Sequence, residues 1–201
     1  MAVGTITKEE LIKLYSSGKS MWEISQSLSC SVHKITYWMT KYDIKKRSRS
    51  DAMYLKLNPN GDPFKIANNI NSVDNFLFGL GLGIYWGEGN KSDKHSVRVT
   101  NTDPKIILTF QKFLRVICNV LNDKMRYSLI CFNDSSPETI SKHWAKLIKI
   151  PIEKFGKIVQ VPPQGKGTYK HKSEFGVCSI NVSNIKLKSW IIGQISKIQP
   201  N

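Results

Sequence analysis

The sequence predicts an α+β chain in two parts: a cluster of short helices, then a larger unit in which helices and strands alternate. Three observations predict this. Residues 5–44 carry three short apolar stripes at helical spacing, with polar or glycine breaks between them. Residues 51–70, DAMYLKLNPNGDPFKIANNI, hold the dense turn signal N-P-N-G-D-P and read as a connector. From Asn71 onward the apolar period alternates between 3.6 and 2. The expected division is therefore 1–50, a linker over 51–70, and 71–201.

In the first part, Thr7 followed by Glu10 is a capping-box pattern, so a helix is expected to start near Lys8. Leu11, Leu14 and Tyr15 form its stripe and Gly18 stops it. Met21, Ile24 and Leu28 mark a second helix. Ser31 caps a third, with Val32, Ile35, Trp38 and Met39 as its apolar stripe. The segment EISQSLSCSVHKITYWM, with small Ser25 in the second helix and a tight Ser29–Cys30 turn, resembles a helix-turn-helix domain of the resolvase and sigma-factor type. That resemblance implies a third helix in the DNA major groove, with Ser31, His33, Lys34, Thr36 and Tyr37 near base edges. A three-helix bundle that binds protein is the competing reading. The run KKRSRS that follows supplies Lys45, Lys46, Arg47 and Arg49 for phosphate contacts or a minor-groove arm.

Charge points the same way. The chain has 201 residues, with 30 Lys+Arg against 15 Asp+Glu and a net charge of +15. That balance favours a polyanionic partner, nucleic acid before an anionic membrane. At 40% hydrophobic residues the chain can bury a core. Four scattered cysteines without a C-x-x-C pair, and a start lacking a signal pattern, are expected of a cytoplasmic protein with reduced thiols. The run Phe76–Trp86 is too short to span a bilayer, which needs about 20 apolar residues.

The stretch FLFGLGLGIYWGEG, residues 76–89, contains five glycines and one acid, Glu88. It fails both the P-loop pattern and the dinucleotide-binding fingerprint. Ser72 and Asp74 upstream supply helix-start chemistry. As a helix, it places Gly79, Gly83 and Gly87 on one face, and each mid-helix glycine costs about 1 kcal/mol relative to Ala. Such a face is expected to pack nearly backbone to backbone on another helix. Phe76, Leu77, Leu80 and Ile84 are then expected to feed the core.

GLGIYWGEG resembles the LAGLIDADG motif of homing endonucleases and their relatives. Gly83, Ile84 and Tyr85 match its small-then-apolar middle, and Gly87-Glu88-Gly89 its closing small-acid-glycine. Trp86 stands where the family often has an acid. The resemblance implies one αββαββα unit over roughly residues 71–199. Its strands are HSVRVTN, KMRYSLICF and FGVCSINVS, with Asp103 and Pro104 opening one helix and Ser136 capping another. With one motif, it also implies a homodimer through Gly79, Gly83 and Gly87. Two copies of Glu88 would then bind Mg²⁺ over the scissile phosphates of double-stranded DNA. The family's curved sheet reads the major groove, and the candidates here are Arg98, Thr100, Arg126 and Ser128. The loop Gly165–Ser173, with Lys166 and Lys170, is expected near phosphates. Family nucleases often carry a Lys or Gln late in the last strand. GVCSINVSN has neither, and Lys172 or Lys186 is the expected substitute. Two functions follow from the resemblance: a Mg²⁺-dependent site-specific endonuclease, and a DNA-binding regulator that keeps the fold without cleavage. Either would be nucleoid-associated.

Overall fold

The structure, a computed structural model, describes residues 5–67, 71–133, 136–156, 158–162 and 173–197. It divides into two units, Met1–Asp62 and Pro63–Asn201. No helix among the described residues is long and apolar enough to cross a membrane.

The N-terminal unit holds α1 (Lys8–Ser16), α2 (Met21–Ser27) and α3 (Val32–Lys41). Each starts at a hydroxyl cap. Thr7, Ser20 and Ser31 accept from the amides of Glu10, Glu23 and Lys34, and Glu23 returns a bond to the Ser20 amide. Gly18, at φ +96°, follows the end of α1. Leu11, Ile24, Ile35 and Met39 meet in the core with Ile6. Val32, expected on the apolar stripe, lies at the exposed start of α3. The expected connector begins inside a fourth helix, α4 (Arg49–Leu57). Ser48 caps it by accepting from the Asp51 amide, and the helix formers of AMYLKL carry it to the turn signal at Asn58.

The C-terminal unit contains α5 (Ser72–Glu88), β1 (Val97–Asn101), α6 (Pro104–Val116), β2 (Arg126–Phe132), α7 (Pro137–Ile148), β3 (Val159–Val161), β4 (Val177–Val182) and α8 (Ile185–Ser196). Its order is αβαβαββα, in place of the expected αββαββα. Two local causes account for the difference. After α5, the chain makes only one bridge, Gly89 with Val99, before Asn90 Oδ1 accepts from the Ser92 and Asp93 amides and turns it away. After β2, Pro137 opens α7 and inserts a helix and the short β3 before the chain returns as β4.

The sheet order is β1-β4-β2-β3, antiparallel except for the parallel β2–β3 pair. Its inner face carries Val97, Val99, Tyr127, Leu129, Cys178, Ile180 and Val182, all buried. They belong to one core with Ile107, Phe110, Phe113 and Leu114 of α6. Burying an aliphatic or phenyl side chain of this size stabilises by about 1.5–3 kcal/mol.

The helix α5 is two-sided. Leu77, Leu82 and Tyr85 are buried and Ile84 packs against the core, but Phe76 is 73% exposed and Leu80 41%. These two leave the expected core because they stand three residues before Gly79 and Gly83, on the same outward face. The close approach inside the fold is made instead by Gly81. A Cβ there would lie 2.2 Å from Phe113 Cγ, whereas Gly79, Gly83 and Gly87 face open space.

These glycines give opposite expectations in chemical denaturation. Gly81→Ala is expected to cost about 1–3 kcal/mol, because the phenyl ring cannot yield without displacing α6. Gly79→Ala is expected to stabilise the monomer by about 0.5–1 kcal/mol through helix propensity. Equal effects at the two positions would contradict the packing described.

Candidate nucleic-acid interface

Because paired residues of a sheet point the same way, the outer face can be read directly from the register. Arg98 pairs with Asn181 and Asn181 with Arg126, while Thr100 pairs with Ser179 and Ser179 with Ser128. The four residues singled out from the sequence on β1 and β2 therefore lie on one face. The strand between them, β4, adds Asn181 and Ser179, which the sequence reading missed. The alternation in VCSINV, apolar Cys178, Ile180 and Val182 against polar Ser179 and Asn181, was the available signal.

The polar rows are organised. Thr100 Oγ1 and Ser179 Oγ lie 2.6 Å apart and share a hydrogen bond. Asn181 Nδ2 donates to Ser183 Oγ at 3.3 Å, but its Oδ1 is buried without a partner. Arg98 and Arg126 are exposed at either side, and Arg126 Nη1 donates to the Asp123 carbonyl.

At the β1 edge, the Gly89–Val99 bridge and the Asn90 amide donating to the Arg98 carbonyl at 2.9 Å tie the end of α5 to the sheet. Glu88, the last residue of α5, is exposed. Two lysines attend this helix end, neither of them a residue expected from the sequence. Lys91 Nζ donates to the carbonyls of Trp86 and Gly87. Lys188, only 4% exposed, donates from Nζ to Tyr85 Oη and to the Asn90 carbonyl. Tyr85 Oη donates to that same carbonyl at 2.8 Å.

Burial holds the Lys188 ammonium below its ordinary pKa. Burial, reinforced by the nearby Asp93 carboxylate, pushes Tyr85 up to about 12. Asp93 itself is held below the usual carboxylate range by the Ser96 hydroxyl and the His95 amide. Lys186, the expected substitute, is exposed two residues earlier on α8, while Lys188 shares the inward face with Leu187, Ile191 and Ile195. Lys166, Lys170 and Lys172 lie outside the described residues.

In the N-terminal unit, His33 and Tyr37 are exposed on α3, Lys34 and Thr36 are partly exposed, and Ser31 is engaged as the cap. Lys45, Lys46 and Arg49 are exposed. Arg47, expected at phosphates, is used internally. Its guanidinium lies 3.9 Å from the Tyr15 ring centre and donates to the Gly18 and Lys19 carbonyls, closing the α1–α2 turn.

Glu88 was also expected to hold Mg²⁺, an ion that takes several oxygen ligands. Among the described residues no cluster of three or more His, Cys, Asp or Glu could hold a metal ion. The carbonyls next to Glu88 already accept from Lys91. The described residues of one chain therefore offer Mg²⁺ no ready set of protein ligands. No protein-family model, curated protein or solved structure matches this chain.

Proposed function

We propose that this chain is a homodimeric protein that binds double-stranded DNA through the outer face of its sheet and through α3. The observation that carries this reading is the convergence of Arg98, Thr100, Arg126 and Ser128 on one face, beside a helix end bearing Glu88. The net charge of +15 supports a polyanionic partner. Counting the Gly89 bridge as a rudimentary strand, and α7 with β3 as an insertion, the C-terminal unit reads αββαββα, as expected of a LAGLIDADG-like unit. The unpartnered face of α5, with Gly79, Gly83 and Gly87 open beside exposed Phe76, Leu80 and Trp86, supports pairing with a second copy.

Within this reading the function is site-specific DNA cleavage by the dimer. Two Glu88 carboxylates, one from each protomer, would supply with the DNA phosphates the hard oxygen donors that the described residues of one chain do not gather. Mg²⁺ held there would supply an activated water and charge stabilisation at the leaving oxygen. The second reading, a regulator that binds without cutting, is favoured by the absence of a cluster of three or more metal-ligating side chains among the described residues and by the Lys91 bonds to the Trp86 and Gly87 carbonyls.

Two outcomes are expected. First, Gly83→Leu weakens self-association on DNA at least tenfold by analytical ultracentrifugation, since the side chain holds two backbones apart. A wild-type protein that is monomeric both free and on DNA contradicts the dimer. Second, on a duplex selected from a random library, affinity falls with salt with a slope of about −0.9 per phosphate contacted. Glu88→Gln then abolishes nicking in Mg²⁺ while leaving affinity within about threefold, because a single exposed contact to a phosphate is screened by solvent. Wild-type protein that never nicks its selected duplex assigns the regulator, and a protein that selects no duplex at low salt overturns the DNA reading.

A further inference from the structure

The outer face of the sheet does not end with its polar rows. Two residues farther along the strands, Val177 pairs with Ile130 and Ile130 with Val159, so three β-branched side chains lie abreast on β4, β2 and β3. Ile130 is 38% and Val159 47% exposed. Beyond them Phe132 pairs with Val161. One face thus runs from a charged row, Arg98–Asn181–Arg126, through a hydroxyl row, Thr100–Ser179–Ser128, to an aliphatic row, at about 6.7 Å between rows. The order is set by register, because each strand contributes its members at the same two-residue step.

We infer that the aliphatic row Val177–Ile130–Val159 reads thymine methyl groups, so that each DNA half-site carries thymine two rows of the sheet away from the bases and phosphates met by the arginine row. This rests on the DNA-binding reading above. A face with two arginines at one end and an aliphatic row at the other needs a partner that is anionic at one place and apolar at another close by. The major groove is such a partner: phosphates line it, and the C5 methyl of thymine is its apolar feature. In the hydroxyl row between, Ser179 is buried and bonded to Thr100, which leaves Thr100 and Ser128 to meet bases or backbone. A protein partner of the row would leave Arg98 and Arg126 without a matching charge, unless that partner were itself acidic.

The test uses the full chain and duplexes selected from a random library. Thymine is replaced by deoxyuridine one position at a time, which removes only the methyl group. At one to three neighbouring positions in each half-site, the replacement is expected to weaken binding about fourfold, the equivalent of one buried methyl. Ile130→Ser and Val159→Ser are expected to bind the thymine and deoxyuridine duplexes equally, while Ser128→Ala keeps the wild-type discrimination. Wild-type affinity that is indifferent to deoxyuridine at every position overturns the inference and leaves the DNA reading standing. The same holds if Ile130→Ser keeps full discrimination, or if Ile130→Ser changes only the oligomeric state, which assigns the row to a second copy. Failure to select any duplex removes both readings together.

Discussion

The contact on which the C-terminal unit depends is the approach of α5 to α6 at Gly81. With no Cβ at this position, the helix backbone comes close enough to Phe113 that any side chain would overlap the ring. That depth brings Tyr85 into the core, stacked on Phe110 at a centroid distance of 5.8 Å. It also brings the end of α5 to the β1 edge, where Gly89 bridges Val99. A Cβ on Gly89 would strike the Tyr85 carbonyl at 2.3 Å. Two glycines therefore set where Glu88 stands, and they are not the three that form the outward face. Glycine in α5 does two jobs on two sides: close packing within the chain, and an open surface without.

This double use explains why the site was only partly legible in the sequence. Register on a sheet is a strict period of two, so alternation kept Arg98 with Thr100 and Arg126 with Ser128, the pairs that the resemblance had named, and β4 between them then put both pairs on one face. Caps were equally readable, because Thr7, Ser31 and Asp103 act within four residues of themselves. What failed was whatever depended on a distant neighbour. Phe76 and Leu80 read as core residues because they are large and apolar, yet nothing within the described fold covers them. Lys188 carried no signal of its own in NIKLKSW, where Lys186 was the expected substitute. Only the packing of α8 shows that it, and not Lys186, points at Tyr85. Arg47 read as part of a basic run, but the Tyr15 ring and two open carbonyls some thirty residues away claimed it. The short β3 and the helix α4 lack a strong period of their own, and a turn-rich segment obscured the second.

The end of α5 also shows how charge is arranged around a helix terminus. Unsatisfied carbonyls make a helix C-terminus electronegative, and cations are stabilising there. Lys91 takes that role at the Trp86 and Gly87 carbonyls, while Lys188 holds the Asn90 carbonyl just beyond the helix from the buried side. Burying Lys188 disfavours its charged form, and the Tyr85 hydroxyl and Asn90 carbonyl offset part of that cost by accepting from it. With Asp93 held ionised nearby, the result is a fixed polar cluster behind Glu88, which stays in solvent. The bonded side faces inward and the Glu88 carboxylate outward, where it is open to a ligand from solvent.

That asymmetry connects the apolar face of α5 to the proposed chemistry. An exposed carboxylate by itself binds a divalent ion weakly, because it supplies one of the several oxygens the ion requires. A second copy packed along Gly79 and Gly83 would bring a second carboxylate to the same end of the helix pair and exclude water from Phe76 and Leu80 as it did so. Hydrophobic burial and completion of an oxygen site would then be one event rather than two. A regulator needs only the first half of that event. Conservation of the glycine face would serve either function, whereas the charge of Glu88 matters only to cleavage, and this is why the carboxylate, not the helix, separates the two readings.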